Sequence, residues 1–154
     1  MNWMDMAYLK VSNIQDDFER ITYVRKKTGE PFNIKIFPAL KDIMLDSLGP
    51  TYDKDDYVFP ILKTARSTNE ALIIRNKRQR LNKKLKKLTK RLGINEFTIY
   101  AARHTYATMG KRRGVPTAVI QESLGHKTES ITQSYLDSFD NKVIDDYDAL
   151  IMED

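Results

Sequence analysis

Residues 100–135 read YAARHTYATMGKRRGVPTAVIQESLGHKTESITQSY. This stretch contains Arg103, both histidines of the chain (His104 and His126) and a tyrosine, Tyr135, nine residues after the second histidine. Its punctuation predicts three helices in succession. Thr98 is placed to cap a helix running to about Arg113, closed by Gly114. Pro116 suits the first turn of a short helix that stops at Gly125. Thr128 can cap a third helix, carrying Ile131 and Tyr135.

The chain around it has 154 residues, enough for one real core. A hydrophobic content of 41% argues for a globular fold rather than disorder. With no cysteine, disulfides, thiolate metal sites and thiol nucleophiles are excluded. No apolar run approaches the roughly 20 residues a membrane span needs. The N-terminal MNWMDMAYLK lacks a signal-peptide layout, so the expected location is cytoplasmic. Net charge is +5, but its distribution says more than its sum. Between Arg66 and Arg113 there are 15 Lys and Arg against two acids; between Asp137 and Asp154 there are seven acids against Lys142 alone. Such polarity favours a surface facing a polyanion, here nucleic acid, over a merely solvated charged face, and a separate tail that avoids it.

Ahead of the central stretch, MNWMDMAYLKVSNI reads as the last turns of a helix entering a loop, with Met6 and Leu9 as core contacts. RITYVR (20–25) and FNIKIF (32–37) alternate like strands, and KKTGEP between them has the chemistry of a short hairpin loop. Pro38 opens a helix through about Leu48, ended by Gly49 and Pro50. Tyr57–Phe59 is at most a short third strand. A long helix is expected over Asn69–Leu92, stopped by Gly93. Its apolar seam is Ile74, Leu81, Leu85, Leu88 and Leu92, expected to pack on the core, with cations over the remaining surface. The same seam is long enough for only a thin coiled-coil contact. The C-terminal 140–154 is amphipathic and reads as a docking tail. No repeat or linker divides the chain, so residues 1–154 are read as one domain, α+β and mostly helical, with a small antiparallel sheet near the N-terminus.

Chemically, the central stretch suits a phosphodiester. Arg103 lies early in its helix, where backbone dipole and guanidinium can meet one anion, and Tyr100 precedes it by one turn. The planar fork of arginine can hold two phosphate oxygens. Gly125 lets the chain turn sharply and present the imidazole of His126. A tyrosine such as Tyr135 can attack phosphorus once the phosphate charge is neutralised, and a hairpin lysine can protonate the leaving sugar oxygen. Lys27 is the candidate donor, with Lys26 as substitute. No metal or other cofactor is suggested, since the histidines stand 22 residues apart without a companion carboxylate pattern. Each residue also has a bland reading: Tyr135 as a core aromatic, Arg103 as an ion-pair partner, His126 as a helix cap, Lys27 as a turn lysine. His104, about 100° round the helix from Arg103, is expected to be buried and structural or to support the site from behind.

The order Lys27, Arg103-His104, Leu124-Gly125-His126, Tyr135, with the blocks ARHTYAT and GHKTESITQSYL, resembles the catalytic domain of tyrosine recombinases, the phage and transposon integrases. The likeness covers nearly the whole chain and is strongest for integrases of Bacteroides-type mobile elements. It implies a tyrosine-recombinase catalytic-domain fold and site-specific cutting and rejoining of DNA. Tyr135 would then form a 3′-phosphotyrosine, Arg103 would be the second of two arginines clamping the phosphate, Lys27 would protonate the 5′-oxygen, and His126 would hydrogen-bond the phosphate. Lys83, Lys84, Lys87, Arg78 and Arg112 are the expected DNA contacts. The family's exchange of C-terminal segments implies a homo-tetramer on double-stranded DNA, at the nucleoid of a bacterium.

The chain departs from the family pattern twice. Tyr100 stands where the family usually has histidine or lysine, and a phenol of ordinary pKa near 10 is a poor base at neutral pH. The family's first arginine would fall just before Met1, and its N-terminal DNA-clamping domain would lie further upstream. The chain alone is therefore expected to be poorly active, since one lost charge donor costs on the order of 10²–10³ in rate. Two alternatives remain in view: a non-catalytic DNA-binding or regulatory module of the same fold, and a topoisomerase using the same tyrosine chemistry.

Overall fold

The computed structural model describes residues 1–26, 28–62, 69–126, 128–133 and 136. The chain forms two compact units, Met1–Arg91 and Leu92–Asp154.

The first unit opens with helix α1 (Trp3–Tyr8), closed at its start by a capping box. Asn2 accepts from the Asp5 N–H at 2.8 Å, and the Asp5 carboxylate faces the Asn2 N–H in return. The expected helix end at this position is thus a short helix with its own cap. A 3-10 turn (Val11–Asn13) leads into strand β1 (Ile14–Gln15), which pairs antiparallel with β2 (Arg20–Val24). Strand β3 (Pro31–Lys35) pairs with β2 through Arg20↔Lys35 to Val24↔Pro31, giving the sheet order β1-β2-β3.

The antiparallel pairing of β2 with β3 is as the sequence predicts, but the third strand is not. Tyr57 makes only a single bridge to Lys10, and the third place in the sheet goes to Ile14–Gln15. Two residues are too few to show alternation. The turn that follows them is built by Asp16, Asp17 and Phe18, all at positive φ (52°, 51°, 68°), a geometry rarely used outside glycine.

Helix α2 (Pro38–Leu48) runs between its predicted punctuation marks and packs Met44 and Leu48 on the sheet with Leu9, Phe18, Ile21, Ile36 and Val58. A second cluster, Ala7, Ile61, Leu62 and Ile74, seats α1 against the start of helix α3 (Glu70–Leu92). The Trp3 indole N–H donates to the Ile74 carbonyl at 3.0 Å.

The seam predicted on α3 holds only in part. Ile74 is buried and Leu81 and Leu85 half-buried, but Leu88 and Leu92 are 45% and 61% exposed, and Thr89 is buried instead. A 23-residue helix is roughly 35 Å long. The Ala7–Ile61–Leu62 cluster engages only its first turns, so periodicity continues where that cluster does not.

The second unit holds α4 (Ala101–Arg112), α5 (Thr117–Leu124) and α6 (Glu129–Gln133). Its core is Ala107, Ile120 and Leu124, with Leu136 packed against them. Gly110 permits the close approach of α5, because a Cβ there would stand 3.2 Å from Ile120 Cδ1. Helix α4 starts later than Thr98: the Thr98 hydroxyl takes the Tyr100 N–H at 3.3 Å, and Tyr100 occupies the cap position itself.

Candidate active site and nucleic-acid surface

In the second unit, Arg103 rises from the first turn of α4 with its guanidinium at the end of α5. Its Nη2 donates to the Leu124 carbonyl and lies 2.8 Å from His126 Nε2. The position of His126 follows from how α5 ends. Gly125 adopts the left-handed conformation (φ 63°, ψ 47°), and the His126 N–H bonds back to the Gln121 carbonyl at 3.1 Å while the Gly125 N–H reaches Glu122 at 2.9 Å. These are the paired bonds of a Schellman motif. Gln121 holds His126 a second time, its side-chain amide donating to the His126 carbonyl at 3.2 Å.

The imidazole's other nitrogen, Nδ1, is 3.0 Å from the Thr132 hydroxyl on α6. Arginine has donors only, so Nε2 must accept, and the neutral ring then carries its proton on Nδ1 and donates it to Thr132. Thr132 is fully buried, which excludes water as a competing acceptor. The result is a chain, Arg103 to His126 to Thr132, that joins α4, the end of α5 and α6.

Of the residues predicted for the site, the structure brings together Arg103 and His126. Tyr135 and Lys27 lie outside the described residues. Leu136, next after Tyr135, packs on Ala107, Ile120 and Leu124, and its N–H bonds to Gln133 at 3.0 Å. Tyr100 is half exposed, its ring meeting the edge of His104 at 5.2 Å and 74°. His104 is therefore exposed, not buried as expected: the four-residue spacing that pairs it with Tyr100 also turns it outward. Gln121 and Thr132 were missed. Nothing local distinguishes a buried threonine within ESITQS, although a glutamine four residues before a helix-ending glycine could have been noticed.

The first unit contributes a buried polar cluster beneath the hairpin. Arg25 Nε is 3.1 Å from Asp5 Oδ2, with both side chains only 5–6% exposed. The Tyr23 hydroxyl donates to the same oxygen at 3.1 Å. Phe32 stacks on Tyr23 at 5.2 Å, and the Arg25 guanidinium lies 4.3 Å from the Phe32 ring centroid. Burial, and then the Asp5 carboxylate beside it, push the Tyr23 phenol up to about 12. Asp5 and Arg25 stand 20 residues apart, and no sequence rule pairs them.

On α3 the predicted DNA contacts Arg78, Lys83, Lys84 and Lys87 are all exposed, as is Arg112 on α4. Lys83, Lys84 and Lys87 share one broad face, while Arg78 lies roughly 140° round the helix from Lys83. Among the described residues no helix is long and apolar enough to cross a membrane.

Comparison with known proteins bears on this arrangement. The model of the phage integrase family matches residues 3–142. The tyrosine recombinase XerA of Pyrococcus horikoshii is 38% identical over 139 residues, covering 85% of this chain and 44% of that protein. The tyrosine recombinase XerC of Herpetosiphon aurantiacus is 36% identical over 70 residues, covering 42% of this chain and 23% of its own length. A crystal structure of XerA recombinase superposes with a TM-score of 0.66 at 22% identity, over 96% of this chain and 52% of that one. The chain thus spans about half the length of these relatives or less.

Proposed function

Because this chain belongs to the phage integrase family, we propose that it carries the catalytic site of a site-specific DNA recombinase that cuts and rejoins strands through Tyr135. The observation that carries the reading is the Arg103–His126 pairing, a guanidinium and an imidazole joined at 2.8 Å at the mouth of a glycine-ended helix. A phosphate there would take the Arg103 donor now given to His126, and a His126 that gains a proton on Nε2 would donate to the same phosphate. The packing of Leu136 on the core that flanks Arg103 supports Tyr135 as the nucleophile.

In the proposed step the Tyr135 oxygen bonds to phosphorus as its phenolic proton passes to solvent, the P–O5′ bond breaks, and the electron pair of that bond goes to O5′. Lys27 supplies the proton, leaving a 3′-phosphotyrosine and a 5′-hydroxyl. The step requires no metal ion. Tyr100, half exposed at the cap of α4, contributes a hydrogen bond to the phosphate rather than base catalysis. The basic face of α3 holds the duplex, and the 140–154 segment, which lies outside the described residues, docks on a second copy in a tetramer. The site of action is chromosomal DNA in the cytoplasm.

The test uses the protein extended to the length of its relatives and a pool of nicked suicide duplexes of randomised sequence, with EDTA present. An adduct resistant to SDS, absent in Tyr135→Phe and Arg103→Ala, is expected. DNA binding without any adduct would overturn the enzymatic reading in favour of a regulatory module. Relaxation of supercoiled DNA without strand exchange would favour a topoisomerase. Removal of residues 143–154 is expected to leave the monomer folded and to weaken assembly on DNA.

A further inference from the structure

The chain leaving β2 is gripped at two successive residues by one face of α1. Asp5 holds Arg25 at 3.1 Å, and Tyr8, three residues on and on the same side of the helix, takes Lys26: its Nζ lies 3.7 Å from the Tyr8 ring centroid. That distance is well inside the roughly 6 Å over which a ring face attracts an ammonium. Tyr8 also faces α3: burial, and then the Glu70 carboxylate in the first turn of that helix, push its phenol up from the ordinary value. On the far side of the loop, Thr28 is tied by its N–H to the Arg25 carbonyl at 3.3 Å and by its hydroxyl to Glu30 at 3.1 Å. Lys26 is thereby anchored to α1, and Thr28 to the hairpin residues Arg25 and Glu30.

We propose that Tyr8 is a positioning residue for DNA cleavage: by seating the Lys26 ammonium on its ring it fixes the hairpin loop and commits Lys27, not Lys26, to protonating the leaving 5′-oxygen. The proposal rests on the reading of Lys27 as proton donor given above. Two adjacent lysines on a free loop would compete for the same phosphate oxygen. A lysine held over a ring must leave it to donate elsewhere, and that cost separates the two roles.

The experiment uses the extended protein and a suicide duplex recovered from the randomised pool, prepared with oxygen or with sulfur as the 5′-bridging atom. A thiolate leaves without needing a proton, so sulfur restores the rate only where proton delivery was the defect. Tyr8→Leu and Lys26→Met are each expected to slow cleavage of the oxygen substrate roughly ten- to a hundredfold, the scale of a small misplacement. Both should return to near the parent rate on sulfur. The double variant should be no slower than the slower single, as for one shared contact. Tyr8→Phe, which keeps the ring face, should cleave the oxygen substrate nearly as the parent does. Lys26 is exposed, so its variant keeps the test valid if Tyr8→Leu fails to fold.

A Lys27→Ala protein rescued by sulfur, beside a Tyr8→Leu protein at the parent rate on oxygen or still slow on sulfur, would overturn this proposal alone. A Lys27→Ala protein not rescued by sulfur would overturn the proton-donor reading and this proposal with it.

Discussion

Arg103 Nη2 and His126 Nε2 lie 2.8 Å apart although 23 residues separate them in the chain. Because the guanidinium can only donate, this one distance sets the tautomer of the imidazole and makes the Thr132 hydroxyl its acceptor at 3.0 Å.

Thr132→Val keeps the shape of the side chain and removes that acceptor. The Nδ1–H is then left without its buried partner, and the variant should lose about 1–3 kcal/mol in urea denaturation. Nitrogen NMR should show the imidazole proton on Nδ1 in the parent and a mixture of tautomers in the variant. Thr132→Ser should behave as the parent does. An unchanged tautomer in Thr132→Val would show that Arg103 alone orients the ring.

The Asp5–Arg25 pair is buried on both sides, so its value depends on staying intact. Removing one partner, as in Asp5→Ala or Arg25→Met, should cost about 3–5 kcal/mol by chemical denaturation, because the other charge stays behind in the interior. Replacing both, as in Asp5→Leu with Arg25→Met, should cost clearly less than the sum of the two. Strict additivity would mean that the charges do not sense each other.

Alkaline stability should report the same cluster. The Tyr23 phenol, raised to about 12 from its ordinary 10, keeps its proton in the folded chain longer than in the unfolded one. The folded state then binds more protons between pH 10 and 12, so its contribution is complete below 10 and is lost as pH rises to 12. Tyr23→Phe should flatten that loss in denaturation curves taken across the window. A parent curve no steeper than that of Tyr23→Phe would contradict the assignment.

On α3, Lys83→Ala, Lys84→Ala and Lys87→Ala should each lower the slope of log affinity against log salt by about 0.9 on duplex DNA if each neutralises a phosphate. Arg78→Ala, on another face of the helix, should change the slope less. Filter or fluorescence titrations at several salt concentrations measure both. Equal effects at all four positions would mean that the duplex does not select the Lys83–Lys84–Lys87 face.

The exposed end of the predicted seam gives a stability contrast. Leu88→Gln and Leu92→Gln should each stay within about 0.5 kcal/mol of the parent, as surface changes do. Ile74→Ala, at a site 2% exposed, should cost about 2–5 kcal/mol. Thermal melts of the three variants would show whether the seam is core along its whole length.

How much was legible in advance depended on the range of the forces involved. Helix α2 runs from Pro38 to Leu48, α3 ends at Gly93, α5 turns at Gly125, and the hairpin sits between RITYV and PFNIK. Proline and glycine act through their own φ and ψ, so these boundaries are written where they occur. The motif order from Arg103 to His126 was legible for a related reason: the glycine stop after Leu124 presents the imidazole through local backbone geometry. Tertiary structure alone decided the rest. Burial of Thr132 and Thr89, exposure of His104, Leu88 and Leu92, the two-residue strand at Ile14–Gln15 and the Asp5–Arg25 pair all depend on which elements meet. A residue's neighbours across space carry no mark in its neighbours along the chain, so the ring tautomer of His126 and the grip of α1 on the hairpin could be read only once the fold had brought them together.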